Sequence, residues 1–112
     1  MKIHKREEFS KKKQHLAVWS KAFAHPARIA ILKILAKNQE CSCNEVVEAL
    51  PLSQATVSQH LKELKNSGLI TAKSVGTRSL YRLDLVALKT FEHEYRKLMK
   101  SLHHPKIREK MN

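Results

Sequence analysis

"LSQATVSQHLKEL", residues 52–64, decides the fold. Gln54, Thr56, Ser58, Gln59 and His60 all carry hydrogen-bonding side chains, while Val57, Leu61 and Leu64 are the only large apolar residues after Leu52. At about 100° per residue these three fall within roughly 60° of one another on a helix, a narrow buried stripe. Ala55, Gln59 and Lys62 then point away from the core, with Thr56, Ser58 and Glu63 flanking. Gln54 and His60 lie nearer the edge of the stripe. Ser53 is the natural N-cap, the helix runs to about Asn66, and Gly68 supplies a left-handed stop.

The neighbours on both sides support a helix–turn–helix. Upstream, "CSCNEVVEAL" (41–50) starts a short helix: Ser42 and Glu45 match the S-x-x-E capping box ahead of Val46 and Val47, and "PLS" breaks it. Downstream, "LITAKSV" (69–75) and "RSLYRLD" (78–84) are β-prone runs around Gly76-Thr77, the pattern of a hairpin. Two helices precede this unit. Leu16, Trp19 and Phe23 fall at helical spacing over 14–24, with Phe9 a heptad before Leu16. "AHPARIAILKILAKN" (24–38) starts a second helix at Pro26, with His25 near its cap and Asn38 as its stop; Ile29, Leu32, Ile34 and Leu35 are its expected buried stripe. After the hairpin, Leu88, Phe91, Tyr95, Leu98 and Leu102 alternate steps of three and four, a continuous seam. The expected fold is mainly α with a small β-hairpin: a winged helix-turn-helix of five helices and a two-stranded wing, in one domain over 1–112. The charge-rich ends, about 1–13 and 103–112, are expected to fray.

The chain has 112 residues, 22 Lys and Arg against 10 Asp and Glu, and a net charge of +12. That surplus suits a polyanion such as nucleic acid or an anionic membrane surface. No apolar run approaches the roughly 20 residues of a bilayer span, and the basic start has no secretory pattern. Two cysteines one residue apart fit a reduced, cytoplasmic setting. With that charge, the exposed face of the 53–66 helix suits base-edge reading: amides pair with adenine, hydroxyls with several bases, and Ala55 lets the helix approach closely. The double-stranded DNA contacts expected are Ser53, Gln54, Thr56, Ser58, Gln59 and His60, with Lys62, Lys65, Lys73 and Arg78 on phosphates. The plain reading of the same face is a solvated side of an ordinary helix. His60 also fits a structural role, hydrogen-bonding within the motif. The outer helices carry more apolar area than so small a core uses, which points to a homodimer through Leu16, Trp19, Phe23, Leu88, Phe91, Tyr95, Leu98 and Leu102.

The sequence resembles the ArsR/SmtB family of bacterial winged-helix repressors over about residues 15–102. "FAHPARIAILKIL" is similar to the family's L-x-D/H-P-x-R-x-x-I-L segment. "LSQATVSQHLKELKNSGLI" resembles its recognition-helix signature, and "GTRSLYRL" its wing. The resemblance implies homodimers joined through the first and last helices, palindromic operators, and release by a ligand or oxidant. It places Ser53, Gln54, Thr56, Ser58 and His60 on DNA-facing positions and Lys73, Gly76 and Arg78 on the wing. Many members bind arsenite or soft metals through E-L-C-V-C-D-L, which Cys41 and Cys43 of "QECSCNEV" match in place. A trigonal metalloid site wants three ligands and a tetrahedral site four, and there is no third cysteine. His4 and His15 are the nearest candidates, and imidazole suits arsenite poorly.

Cys41 at N′ paired with Val46 at N4 also reads as a hydrophobic staple, with Cys43 simply a small residue. The family's zinc pattern on the last helix is missing: no histidine follows Asp84 at the required step, Arg96 follows His93, and His103-His104 reads as a solvated tail. No metal or cofactor is therefore expected. A thiol-based metalloid or redox switch through Cys41 and Cys43 stays open, since Cys43 near a helix N-terminus suits a lowered pKa. A non-specific nucleic-acid binder is poorly served by 5% aromatic residues. A thiol redox enzyme or metal carrier is poorly served too, because no strand–helix pattern surrounds the cysteines. The expectation is a DNA-binding regulator and no enzyme.

Overall fold

The computed structural model describes residues 9–103; of the ends expected to fray, about 1–13 and 103–112, residues 1–8 and 104–112 lie outside that range, and His103 is helical. Helix α1 spans Lys11–Ala22, capped by Ser10, whose hydroxyl accepts from the Lys13 N–H at 3.2 Å. Residues 11–13, expected within the frayed start, are therefore helical. Helix α2, Pro26–Asn38, begins at His25 as N-cap with Pro26 in its first turn. It ends at Gln39, whose φ of 65° turns the chain out of the helix. Its inward residues are Ile31, Leu32 and Leu35, whereas Ile29, expected inside, is 45% exposed. Ile31 and Leu35 stand four apart on one face, and Ile29 falls outside that face.

Strand β1 (Cys41–Ser42) leads into helix α3 (Cys43–Ala49). The capping box forms in full: the Ser42 hydroxyl accepts from the Glu45 N–H at 3.2 Å, and the Glu45 carboxylate accepts from the Ser42 N–H at 2.8 Å. Ser42→Ala leaves the Glu45 N–H without its acceptor and is expected to cost about 1 kcal/mol, read as a shift in chemical-denaturation midpoint. Cys41 and Val46, the staple pair, are both buried in the core. Helix α4, Gln54–Ser67, starts at Ser53 and ends at Gly68, whose φ of 86° places it in the left-handed region. Strands β2 (Ile70–Val75) and β3 (Arg78–Leu83) pair antiparallel from Ile70↔Leu83 to Val75↔Arg78. Gly76, with φ 63°, takes the first loop position, where a positive φ matches the twist of the strands.

The expected two-stranded wing forms, and a third strand, β1, joins its sheet in the order β1-β3-β2. β1 pairs with the inner strand through Cys41↔Tyr81 and Ser42↔Leu80. A two-residue strand has no readable alternation, so only its distant partner reveals it. Helix α5, Leu85–His103, follows; the Asp84 carboxylate accepts from the Ala87 N–H at 3.0 Å at its start.

The core lies between α2, α3, α4 and the base of the hairpin. Val46, Val57, Leu61, Leu64 and Leu69 are fully excluded from solvent within it. Trp19 packs on the core from α1 and donates its Nε1–H to the Ser67 carbonyl at 3.1 Å, which ties α1 to the end of α4. Among the described residues no helix is long and apolar enough to cross a membrane.

Candidate nucleic-acid interface

The geometry of α4 separates its two faces. Val57, Leu61 and Leu64 are buried, and Gln54, Ala55, Thr56, Ser58, Gln59, Lys62 and Lys65 are exposed or half-exposed. Three of the contact residues expected on this helix are engaged within the chain. The Ser53 hydroxyl accepts from the Thr56 N–H at 3.2 Å and donates to the Thr56 hydroxyl at 3.0 Å. Ser53 is thus occupied as the cap that starts α4. The Gln59 amide donates to the Glu63 carboxylate at 3.1 Å on the solvent side. That bond links neighbours one turn apart and breaks at little cost in water.

His60 is half-buried. Its ring lies against that of His25, with centroids 4.4 Å apart. Burial pushes its pKa down, His25 and Arg28 push it further the same way, and Glu63 opposes them. The internal neighbour of His60 is thus a ring at the start of α2.

The wing stands beside the start of α4. Lys73 and Arg78 are both exposed on it. The Arg78 guanidinium donates to the Glu45 carboxylate at 3.3 Å, an ion pair open to water. The Glu45 carboxyl sits below the usual carboxylate range, held there first by its bonds from Ser42 and then by Arg78. A polar cleft of about 240 Å³ separates α3, α4 and the wing, and Gln54, Arg78, Asn44 and Tyr81 line it. Helical spacing puts Gln54 near the edge of the buried stripe, and the fold turns that edge toward the wing.

Cys43 also lines this cleft, and both cysteines are free. Burial raises the pKa of each thiol, with Glu45 and Glu40 adding to the rise at Cys41. The Cys43 pKa, expected to be lowered by its place at a helix start, is thus raised, and burial is the cause. Among the described residues, no three His, Cys, Asp or Glu side chains come together in a metal-holding group. His4 and His104 lie outside the described residues.

A second surface joins α1 and α5. Phe91 stacks against Phe23 at 5.1 Å, Tyr95 at 5.7 Å and Trp19 at 5.8 Å between ring centroids. An open groove of about 710 Å³ runs beside them, lined by Phe23, Leu88, Phe91 and Tyr95. Leu16, Phe23, Leu88 and Phe91 are half-buried, while Tyr95, Leu98 and Leu102 keep substantial exposure. No residue of the 19-residue α5 is buried within the chain.

The family described as "Bacterial regulatory protein, arsR family" matches residues 25–72, which hold α2, α3, α4 and the start of the wing. The chain is 48% identical over 63 residues to the HTH-type transcriptional repressor SmtB of Mycobacterium tuberculosis. That stretch covers 56% of this chain and 46% of SmtB, so the match spans about half of that relative. The chain is 34% identical over 83 residues to the transcriptional activator HlyU of Vibrio cholerae, covering 74% of this chain and 76% of HlyU. An ArsR-like transcriptional regulator from Rhodococcus sp. RHA1 has the same fold, with a TM-score of 0.75 at 22% identity, over 83% of this chain and 87% of that one. The helix–turn–helix match, the identity shared with most of HlyU and the common winged-helix backbone converge, and the chain belongs to the ArsR family of bacterial regulatory proteins.

Proposed function

We propose that the chain is a sequence-specific, DNA-binding transcription regulator that acts as a homodimer on a palindromic operator. One observation carries the DNA reading: α4 buries only Val57, Leu61 and Leu64 and leaves a whole face of amides, hydroxyls and lysines in water. Gln54, Thr56, Ser58 and Gln59 read base edges in the major groove, and Ala55 permits close approach. Lys62, Lys65, Lys73 and Arg78 meet phosphates on either side. Phosphate oxygens would compete with Glu45 for Arg78, whose exposed ion pair is weak. The net charge of +12 supplies long-range attraction. Repression is the sign of regulation we propose, following the name of SmtB, and the cytoplasm is the place of action.

Dimerisation is supported by α5. A long helix that repeats apolar residues at three and four yet buries none of them in its own chain calls for a partner surface. The groove between α1 and α5 continues that face. A double change, Leu98→Glu with Leu102→Glu, alters two exposed side chains and is expected to leave the protomer folded. Light scattering should then give the mass of one chain where the unaltered protein gives two. Equal masses for the two proteins would remove the α5 interface.

Footprinting on the DNA upstream of the protein's own gene tests the whole reading. Two protected half-sites are expected about one helical turn apart, near 34–36 Å. Affinity should fall steeply with salt. Equal affinity for scrambled duplexes would leave only non-specific binding.

A further inference from the structure

His25 and Pro26 start α2 in a particular way. Proline has no N–H, so the first donor needing a partner belongs to Ala27. His25 supplies it: its Nδ1 accepts from the Ala27 N–H at 3.1 Å. A ring nitrogen accepts a hydrogen bond only when it carries no proton. This cap therefore exists only for an uncharged imidazole with its proton on Nε2. The same ring lies 4.4 Å from that of His60, tilted by 56°. His60 stands mid-way along α4, so one side chain both starts α2 and touches the helix proposed to read DNA.

The surroundings of His60 do not favour more positive charge. The charged and titratable groups acting on His60 are His25 and Arg28 from the α2 side and Glu63 on its own helix. None from α1, α3 or β2 does so among the described residues. The Arg28 Nε is buried and has no hydrogen-bond partner, so a cation is already incompletely satisfied beside the pair. Glu63, the one carboxylate, accepts from Gln59.

We infer that His25 is a positioning residue for α4: its uncharged ring caps α2 and seats His60, and mild acid, by charging His60 against that contact, unseats α4 and releases DNA. This rests on the DNA-binding reading given above. The sign follows from linkage. The folded His60 binds its proton less readily than a free histidine of pKa 6.5. Above that value both states are neutral and nothing is lost. As pH falls below it the unfolded or unseated state takes up the proton first, and the penalty is complete once pH is below the lowered folded value. Loss of the Ala27 cap acts in the same direction. General electrostatics acts in the opposite one: the chain has 7 histidines, and charging them should tighten binding to phosphates.

The test compares the full chain with His25→Asn, which keeps an acceptor at the N-cap and has no ring to seat His60. The affinity for the protein's own upstream DNA is measured at about pH 7.5 and about pH 5.5 at one ionic strength, a range that spans histidine titration. Thermal midpoints are taken without DNA at the same two values. The unaltered protein should lose severalfold in affinity in acid, and the variant, which keeps a half-buried His60 but not its contact with His25, should lose distinctly less. Its midpoint should also fall further than that of the variant. Equal losses in the two proteins, or tighter binding in acid by the unaltered chain, would overturn the inference. If neither protein discriminates its upstream DNA from scrambled sequence at the higher pH, the DNA-binding reading fails. The midpoints then decide alone: a larger acid shift in the unaltered chain supports the role of His25 in seating α4, and equal shifts refute it.

Discussion

Leu61→Ala is expected to lower the stability of the fold by about 2–5 kcal/mol. Leu61 is fully excluded from solvent, between Val57 and Leu64 on the buried stripe of α4. Removing its isobutyl group sacrifices the transfer energy of the lost carbons and leaves a cavity that α4 cannot fill without shifting. A small domain has about 5–15 kcal/mol in total, so this change removes a large fraction. For a domain of this size each kcal/mol moves the thermal midpoint by about 4–8 °C. Calorimetry at one fixed protein concentration checks it, since dimerisation couples stability to concentration. Lys62→Ala, one position on and exposed, should stay within about 0.5 kcal/mol of the parent. A Leu61→Ala midpoint as high as that of Lys62→Ala would mean that α4 is not anchored through this stripe.

Gln54→Ala should have the mirror effect, on binding and not on stability. Gln54 is exposed at the first position of α4 and lines the cleft beside the wing. The N-terminal end of a recognition helix is the end that enters the major groove. Loss of a bidentate amide contact is expected to weaken specific binding by about 1–3 kcal/mol and to relax preference at one base pair. The thermal midpoint should not move. Lys62→Ala supplies the contrast: uniform weakening across sequences and a salt slope reduced by about one. Competition with a set of single-base operator variants separates the two patterns. Identical patterns for Gln54→Ala and Lys62→Ala would mean that Gln54 contributes only to general attraction.

Leu61 and Gln54 belong to one helix, and most of its plan is legible in the sequence. The stripe of α4, its Ser53 start and its Gly68 stop depend on contacts within one or two turns, and local physics is written locally. The same holds for the Ser42–Glu45 capping box and for the Gly76 turn. Composition also bears on the partner, because net charge is a sum over residues and needs no fold.

What the tertiary structure decided were features set by residues far apart. β1 exists because Tyr81 and Leu80 come alongside Cys41 and Ser42. Ile29 lies outside because Ile31 and Leu35 take the core side of α2, a choice that helical period alone leaves open between neighbouring faces. Cys43 has a raised pKa because the fold partly buries it. His60 meets His25 from a different helix, a pairing no spacing rule supplies. Hydrogen-bond periods and caps act over a few residues. Burial and desolvation depend on what the rest of the chain brings to the same point in space.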